Sequence, residues 1–255
     1  MISYWFIYLL FVPFGFFAGR SFAQAYNGNW LYMLLDYLGI ADLTGTPMYN
    51  ETWWFMGVII LFYILFPLFI KLMKITPMLL PALCLALTFA PFIPDWGQIR
   101  TNVFSFAVGM VISKYCIFDI MVKKSVKLWA SSAVSGLLII AGLLFRYSYH
   151  NACLDALTGF GIIMLSACVF SKIHIIDNVL ELLGKLSGSI FMFHSFVYLY
   201  YSLCSKFVYV FRFVPLIFIV VVLLCVALAQ AIELLKKYLR VNDLTALLRR
   251  RIYLQ

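Results

Sequence analysis

The chain is poor in charge. Asp, Glu, Lys and Arg make up 11% of its 255 residues, against about a quarter in soluble domains. Hydrophobic residues make up 65%, and mean hydropathy is +1.02. A soluble fold of this length has no core large enough to hide that much apolar surface, so a soluble domain is excluded. The apolar runs are continuous and do not alternate. That excludes a membrane barrel and leaves helices, whose backbone groups are satisfied within each segment. No Lys or Arg precedes Arg20, so the first apolar run lacks the positive start of a signal peptide, although Ala23-Gln24-Ala25 looks like a cleavage site. The six cysteines include no C-x-x-C pair, so neither a zinc site nor a redox motif is indicated. Cys84, Cys168 and Cys225 lie inside apolar runs as small core hydrophobes; whether Cys153 and Cys204 pair is left open. There is no G-x-S-x-G elbow, no Walker A loop, no H-E-x-x-H and no internal repeat, and no metal site is expected.

What is present is a series of apolar runs. The sequence predicts an all-α transmembrane bundle of about eight spans: Ile2 to Ala18, Trp53 to Ile70, Met78 to Ile93, Val103 to Ile120, Leu128 to Phe145, Leu154 to Phe170, Leu186 to Cys204 and Phe213 to Leu235. The third is short for ~30 Å of hydrocarbon and is flanked by prolines. Turns are expected at Asn27-Gly28-Asn29 and Gly45-Thr46-Pro47, with a short interfacial helix between them over Trp30 to Ile40. The second span opens on Asn50 and Thr52, either of which can cap it. Trp53 and Trp54 follow, where an indole ring reaches hydrocarbon and its N–H reaches water.

The net charge of +9 supports this topology better than a nucleic-acid partner, which is not expected. With both termini cytoplasmic, the inner side holds Lys71, Lys74, Lys114, Lys123, Lys124, Lys127, Lys172, Lys185 and the basic residues from Lys236 to Arg251. The outer side holds Arg20, Arg100, Arg146, Lys206 and Arg212. That asymmetry is the positive-inside bias. Residues 236–255 read as a basic cytoplasmic tail, and membrane lipid is the expected surrounding.

Two groups of polar residues carry the expected chemistry. In the seventh span Ser187, Phe191, His194, Tyr198, Tyr201 and Ser205 recur at steps of four and three, which places them on one helical stripe. Imidazole and phenol groups facing lipid are costly, so the stripe is expected to line an interior cavity or contact, with Tyr63 as a neighbour. His194 is the candidate proton-handling group, with packing between helices as the alternative. At the outer span ends, Asn50, Glu51, Arg100, Asn102, Arg146, His150, Asn151 and Asp155 (with Thr158 one turn on) offer a set suited to sugar hydroxyls, or form ordinary wet loop ends.

Two stretches carry a family resemblance. Asn50-Glu-Thr-Trp53-Trp54-Phe55, followed by an apolar run to Tyr63 and Pro67, resembles a signature of acyltransferase family 3. Leu183-Gly184-Lys-Leu-Ser187 through Phe191 to His194 is similar to a second. The family consists of integral-membrane enzymes that move acyl groups, usually acetyl, onto sugars of surface polysaccharides. The resemblance implies an O-acyltransferase of the plasma (inner) membrane, with acyl-CoA as donor substrate, no bound cofactor, and a surface glycan or lipid-linked sugar as acceptor. It favours His194 as catalytic, and together with the two polar groups above it makes Asn50, Trp53, Tyr63, Arg100, Arg146, Asp155, Tyr198 and Tyr201 the expected substrate-binding residues. Family members also carry a first span with an Arg and, some ten residues on, a His taken as catalytic, and an Arg-rich segment before the third span. This sequence has neither, and it lacks the family's central-span glutamate. The chain is therefore expected to form a single domain without the family's first two spans, to be inactive alone, and to need a separate N-terminal fragment. A non-catalytic remnant and a lipid-linked-sugar transporter are the rival readings.

Overall fold

The computed structural model describes residues 1–90, 98–117, 128–149, 154–168 and 174–241. Among them there is no strand. The helices run α1 (Ile2–Ala18), α2 (Phe22–Tyr26), α3 (Trp30–Tyr37), 3-10 turns at Asp42–Thr44 and Glu51–Trp53, α4 (Trp54–Ile75), α5 (Leu79–Phe89), α6 (Gln98–Lys114), α7 (Leu128–Tyr149), α8 (Asp155–Cys168), α9 (His174–Ser195), a π-helical turn Phe196–Tyr200, α10 (Ser202–Tyr209) and α11 (Val214–Tyr238). The expected turns form with Gly28 and Gly45 at positive φ. Asn50 is the residue that caps, accepting the Thr52 N–H at 3.0 Å. Ser21 and Gln24 close a reciprocal capping box on α2.

Glu51–Ile75, Ala130–Tyr149, Asn178–Tyr200 and Val214–Tyr238 are long and apolar enough to cross a membrane; Ile2–Ala18, Leu79–Phe89 and Asp155–Ala167 are shorter apolar helices. The third apolar run yields an eleven-residue helix, and residues 91–97 lie outside the described part. Residues 242–255 of the basic tail and Cys153 also lie outside it. Cys84 and Cys225 are buried, and Cys204 forms no disulfide among the described residues.

The chain divides into two compact units, Met1–Gly57 with Glu181–Gln255, and Val58–Leu180. The division falls within α4 and α9.

In the first unit the core is aromatic. Phe11 stacks on Phe193 at 5.4 Å, Tyr49 on Phe196 at 5.7 Å, and Trp53 meets Tyr4 edge-on at 5.3 Å. Helix α3 is inside-out: it exposes Trp30, Leu31 and Leu34 and buries Asp36. That polarity suits hydrocarbon outside and polar partners inside. Trp53 likewise is 1% exposed, and its indole N–H donates to the Met192 carbonyl at 2.8 Å, so this ring is a core residue and not a boundary anchor.

Lys236 is a second correction. It is not a solvated tail cation, for its side chain is 4% exposed. It donates to Glu233 Oε1 at 2.7 Å, to Ser189 at 3.2 Å and to Ser3 at 3.4 Å, joining α11, α9 and α1.

In the second unit α7 and α8 pack as a close pair. Gly142 lies against Thr158 and Gly161 against the Ser135 carbonyl, with no room for a side chain at either glycine. Phe62 and Phe106 meet at 4.5 Å between α4 and α6. Lys114 ties the end of α6 to the Met73 carbonyl at 3.1 Å.

Candidate active site

The stretch between α1 and α4 is fixed by buried polar groups. Asp36 is 1% exposed. Its carboxylate accepts the Tyr26 hydroxyl at 2.7 Å and the Tyr49 N–H at 2.9 Å, and its backbone carbonyl accepts the Tyr4 hydroxyl. Tyr8 and Tyr26 share a bond of 2.9 Å. Burial pushes the Asp36 carboxyl up to about 7, partly offset by the Tyr49 and Tyr26 donors. Tyr49 is also pushed up by burial, offset by the Arg20 backbone and guanidinium. Gly15 lets Tyr49 approach α1, since a methyl there collides with its hydroxyl.

Asn50, fully buried, binds this stretch to α9. Its amide donates to the Met192 carbonyl at 3.2 Å, and its oxygen accepts Ser195 Oγ at 2.9 Å and Thr52 Oγ1 at 2.9 Å. Asn50 and Trp53 thus find their partners inside the protein.

His194 sits in the last turn of α9. Its Nδ1 lies 2.9 Å from the Phe191 carbonyl and 3.2 Å from that of Ile190. Both are acceptors, so in the neutral ring Nδ1 carries the proton and Nε2 the lone pair. Nε2 has no partner among the described residues. The ring is half-buried beside Phe191 and Tyr198, each at 5.9 Å.

The seventh-span stripe is not continuous. After Ser195 the backbone winds wider, with the Tyr201 N–H reaching back five residues to Phe196 at 3.0 Å. Tyr201 itself is extended, with φ −91° and ψ 108°. A π turn has more residues per turn than 3.6, so the four-and-three spacing loses its meaning there. His194 and Tyr198 stay neighbours. Tyr201 turns to α1, donating to the Phe11 carbonyl at 2.8 Å, and Ser205 starts a different surface on α10.

That surface is a polar cleft of about 690 Å³ lined by Gly19, Arg20, Gln24, Glu51, Leu199, Tyr200, Ser202 and Ser205. Arg20 donates to the Tyr49 carbonyl at 3.3 Å and the Gln24 carbonyl at 3.4 Å, and lies 5.7 Å over the Tyr200 ring. The Glu51 N–H donates to the Tyr200 hydroxyl at 3.1 Å, while the Glu51 carboxylate makes no hydrogen bond or ion pair among the described residues. His194 does not line this cleft.

The remaining expected residues belong to the second unit. Arg100 is half-buried and donates to the carbonyls of Thr88 at 2.8 Å and Ala90 at 3.2 Å, closing the C-terminus of α5. Arg146 and Asp155 form an ion pair, 57% and 37% exposed, joining the end of α7 to the start of α8. Asp155 and Asn102 line a groove of about 570 Å³ between α6 and α8. Tyr63 is exposed. His150 and Asn151 lie outside the described residues.

Sequence reasoning passed over Asp36, Tyr4, Tyr8, Tyr26, Arg20 and Ser202. One signal was available for the first three. Asp36 is the lone acid in the apolar stretch from Trp30 to Ile40, and Tyr4 and Tyr8 are one helical turn apart.

These features define an all-helical membrane protein with a polar interior at the junction of α1, α9 and the stretch between α1 and α4. Residues 1–232 match the acyltransferase-domain model of acyltransferase family 3, and the chain belongs to that family. No curated protein and no solved structure matches it.

Proposed function

We propose that the protein is a membrane O-acyltransferase, moving an acyl group, most simply acetyl, from cytoplasmic acyl-CoA to a hydroxyl of a surface polysaccharide or lipid-linked sugar. The family match over residues 1–232 supports acyl transfer. The single structural observation that favours a role for His194 is that two carbonyls hold Nδ1 while Nε2 has no partner among the described residues. In the proposed step Nε2 takes the proton of the sugar hydroxyl as its oxygen attacks the acyl carbonyl carbon. The carbon–sulfur bond then breaks, and the departing thiolate recovers the proton from the imidazolium. Tyr198 beside the ring is a proposed substrate contact, whereas Asn50, Trp53 and Tyr201 direct their polar groups to Met192, Ser195 and Phe11 and are proposed to shape its surroundings.

The test is O-acyl transfer in membranes from the native cell carrying each variant. His194→Ala and His194→Phe are both expected to lower the rate by about 10²- to 10⁴-fold, the usual contribution of a general base. The phenyl variant fills the same space, so protein levels in detergent should hold. Full activity in both variants would reduce His194 to a packing residue.

We also propose the inner membrane as location and about eight spans with both termini in the cytoplasm. Reporter fusions after Lys74, Lys127, Lys172 and Gln255 should read inside, and those near Gly45, Gln98 and Asn151 outside. An external C-terminus would overturn this topology.

A further inference from the structure

The cleft at the end of α1 has no part in the step just described, and its chemistry is specific. We propose that it binds a neutral pyranose unit of the acceptor glycan, one that is not itself acylated. Describing that sugar as part of the acceptor rests on the acyltransferase reading; the binding site itself does not.

The cleft's volume of about 690 Å³ falls within the range of small-molecule sites. The Glu51 carboxylate is exposed and without a partner, although Arg20 lines the same cleft. A carboxylate only accepts, and its two oxygens can take the hydrogens of two adjacent ring hydroxyls. Arg20 supplies donors from the same cleft, half-buried and already held by the Tyr49 and Gln24 carbonyls. Ser202 and Ser205 line it too; their hydroxyls donate to the Ala18 and Ser202 carbonyls at 3.4 and 3.2 Å and keep lone pairs that accept.

The walls are built before any ligand arrives. Tyr200 fixes the Glu51 backbone, and Gly19 closes against the Tyr200 carbonyl with no space for a side chain. Order of this kind lowers the entropic cost of binding. A wet loop end explains the polar residues but not a half-buried arginine that leaves a neighbouring carboxylate free. A cation site is not supported, because no group of three or more His, Cys, Asp or Glu residues occurs among the described residues. An acidic sugar would bring its carboxylate against Glu51.

The experiment uses the full chain in lipid nanodiscs. Methyl glycosides of glucose, galactose and mannose are compared with the matching uronides by saturation-transfer NMR titration. At least one neutral glycoside is expected to bind more than about tenfold tighter than its uronide, the difference made by one charge-assisted hydrogen bond. Glu51→Gln should weaken the neutral glycoside by about tenfold and narrow its advantage over the uronide. Arg20→Gln should weaken both. Thermal unfolding of each variant shows whether the fold is kept, and Ser205→Ala, with a smaller loss, serves if either charge variant unfolds.

No binding by any neutral glycoside, uronides that bind as well, or a Glu51→Gln variant that binds as before would each overturn the proposal. Acyl transfer is read separately. Binding as expected with no transfer in membranes from the native cell would sink the acyltransferase reading and leave the cleft standing, whereas transfer there without binding would do the reverse.

Discussion

Glu233→Leu is expected to destabilise the protein more than Lys236→Met, although both break the same ion pair. Lys236 is buried, with its side chain 4% exposed, whereas that of Glu233 is 38% exposed. Removing Glu233 leaves an ammonium group in the bundle with only the Ser189 and Ser3 hydroxyls. Stranding a buried charge costs about 3–5 kcal/mol. Removing Lys236 leaves a carboxylate that still accepts from Ser189 at 2.7 Å and still reaches the surface, so the loss is smaller. The double variant should recover most of the loss, because an apolar pair of similar volume is often neutral where a broken pair is not. Thermal unfolding in detergent of both single variants and the double decides it. A Lys236→Met variant less stable than Glu233→Leu, or losses that simply add, would contradict the network.

Asp36→Ala is expected to be the other costly change. It removes the acceptor of the Tyr26 hydroxyl and the Tyr49 N–H in a site that is 1% exposed. Each stranded donor costs about 1–3 kcal/mol. Asp36→Asn keeps an acceptor oxygen and the shape, so its loss should be small. The pair also separates in pH. Burial holds the Asp36 carboxyl at about 7 in the folded protein, against an ordinary 3.8. The folded state therefore binds this proton more tightly than the unfolded chain. The stability it contributes is complete below 3.8 and is lost as the pH rises through about 7. Wild type should lose stability across that window, and Asp36→Asn should not follow it. Parallel pH profiles would contradict the assignment.

Helices were legible because continuous apolar runs leave the backbone in lipid no other satisfied form. The Asn50 cap was legible because its partner is two residues away. The contacts of Asp36 and Lys236 were not, because sequence periodicity tells which residues share a helix face and not which distant residue meets it. Lys236, read as a topology signal, is a buried donor to three partners. The stripe through His194 and Tyr201 failed for a local reason: its spacing assumes 3.6 residues per turn, and the helix widens after Ser195. Arg20 and Ser202 had no motif around them. They matter through a cleft assembled from the end of α1, the start of α2, the Glu51 turn and the start of α10.

The most direct test of the proposed function is the O-acyl content of the surface glycan in the native cell after deletion of this chain. The account predicts that deletion removes ester-linked acyl groups, that wild-type protein restores them, and that His194→Ala, present at equal level in the membrane, does not. Glycan whose acyl content is the same with and without the chain would contradict it.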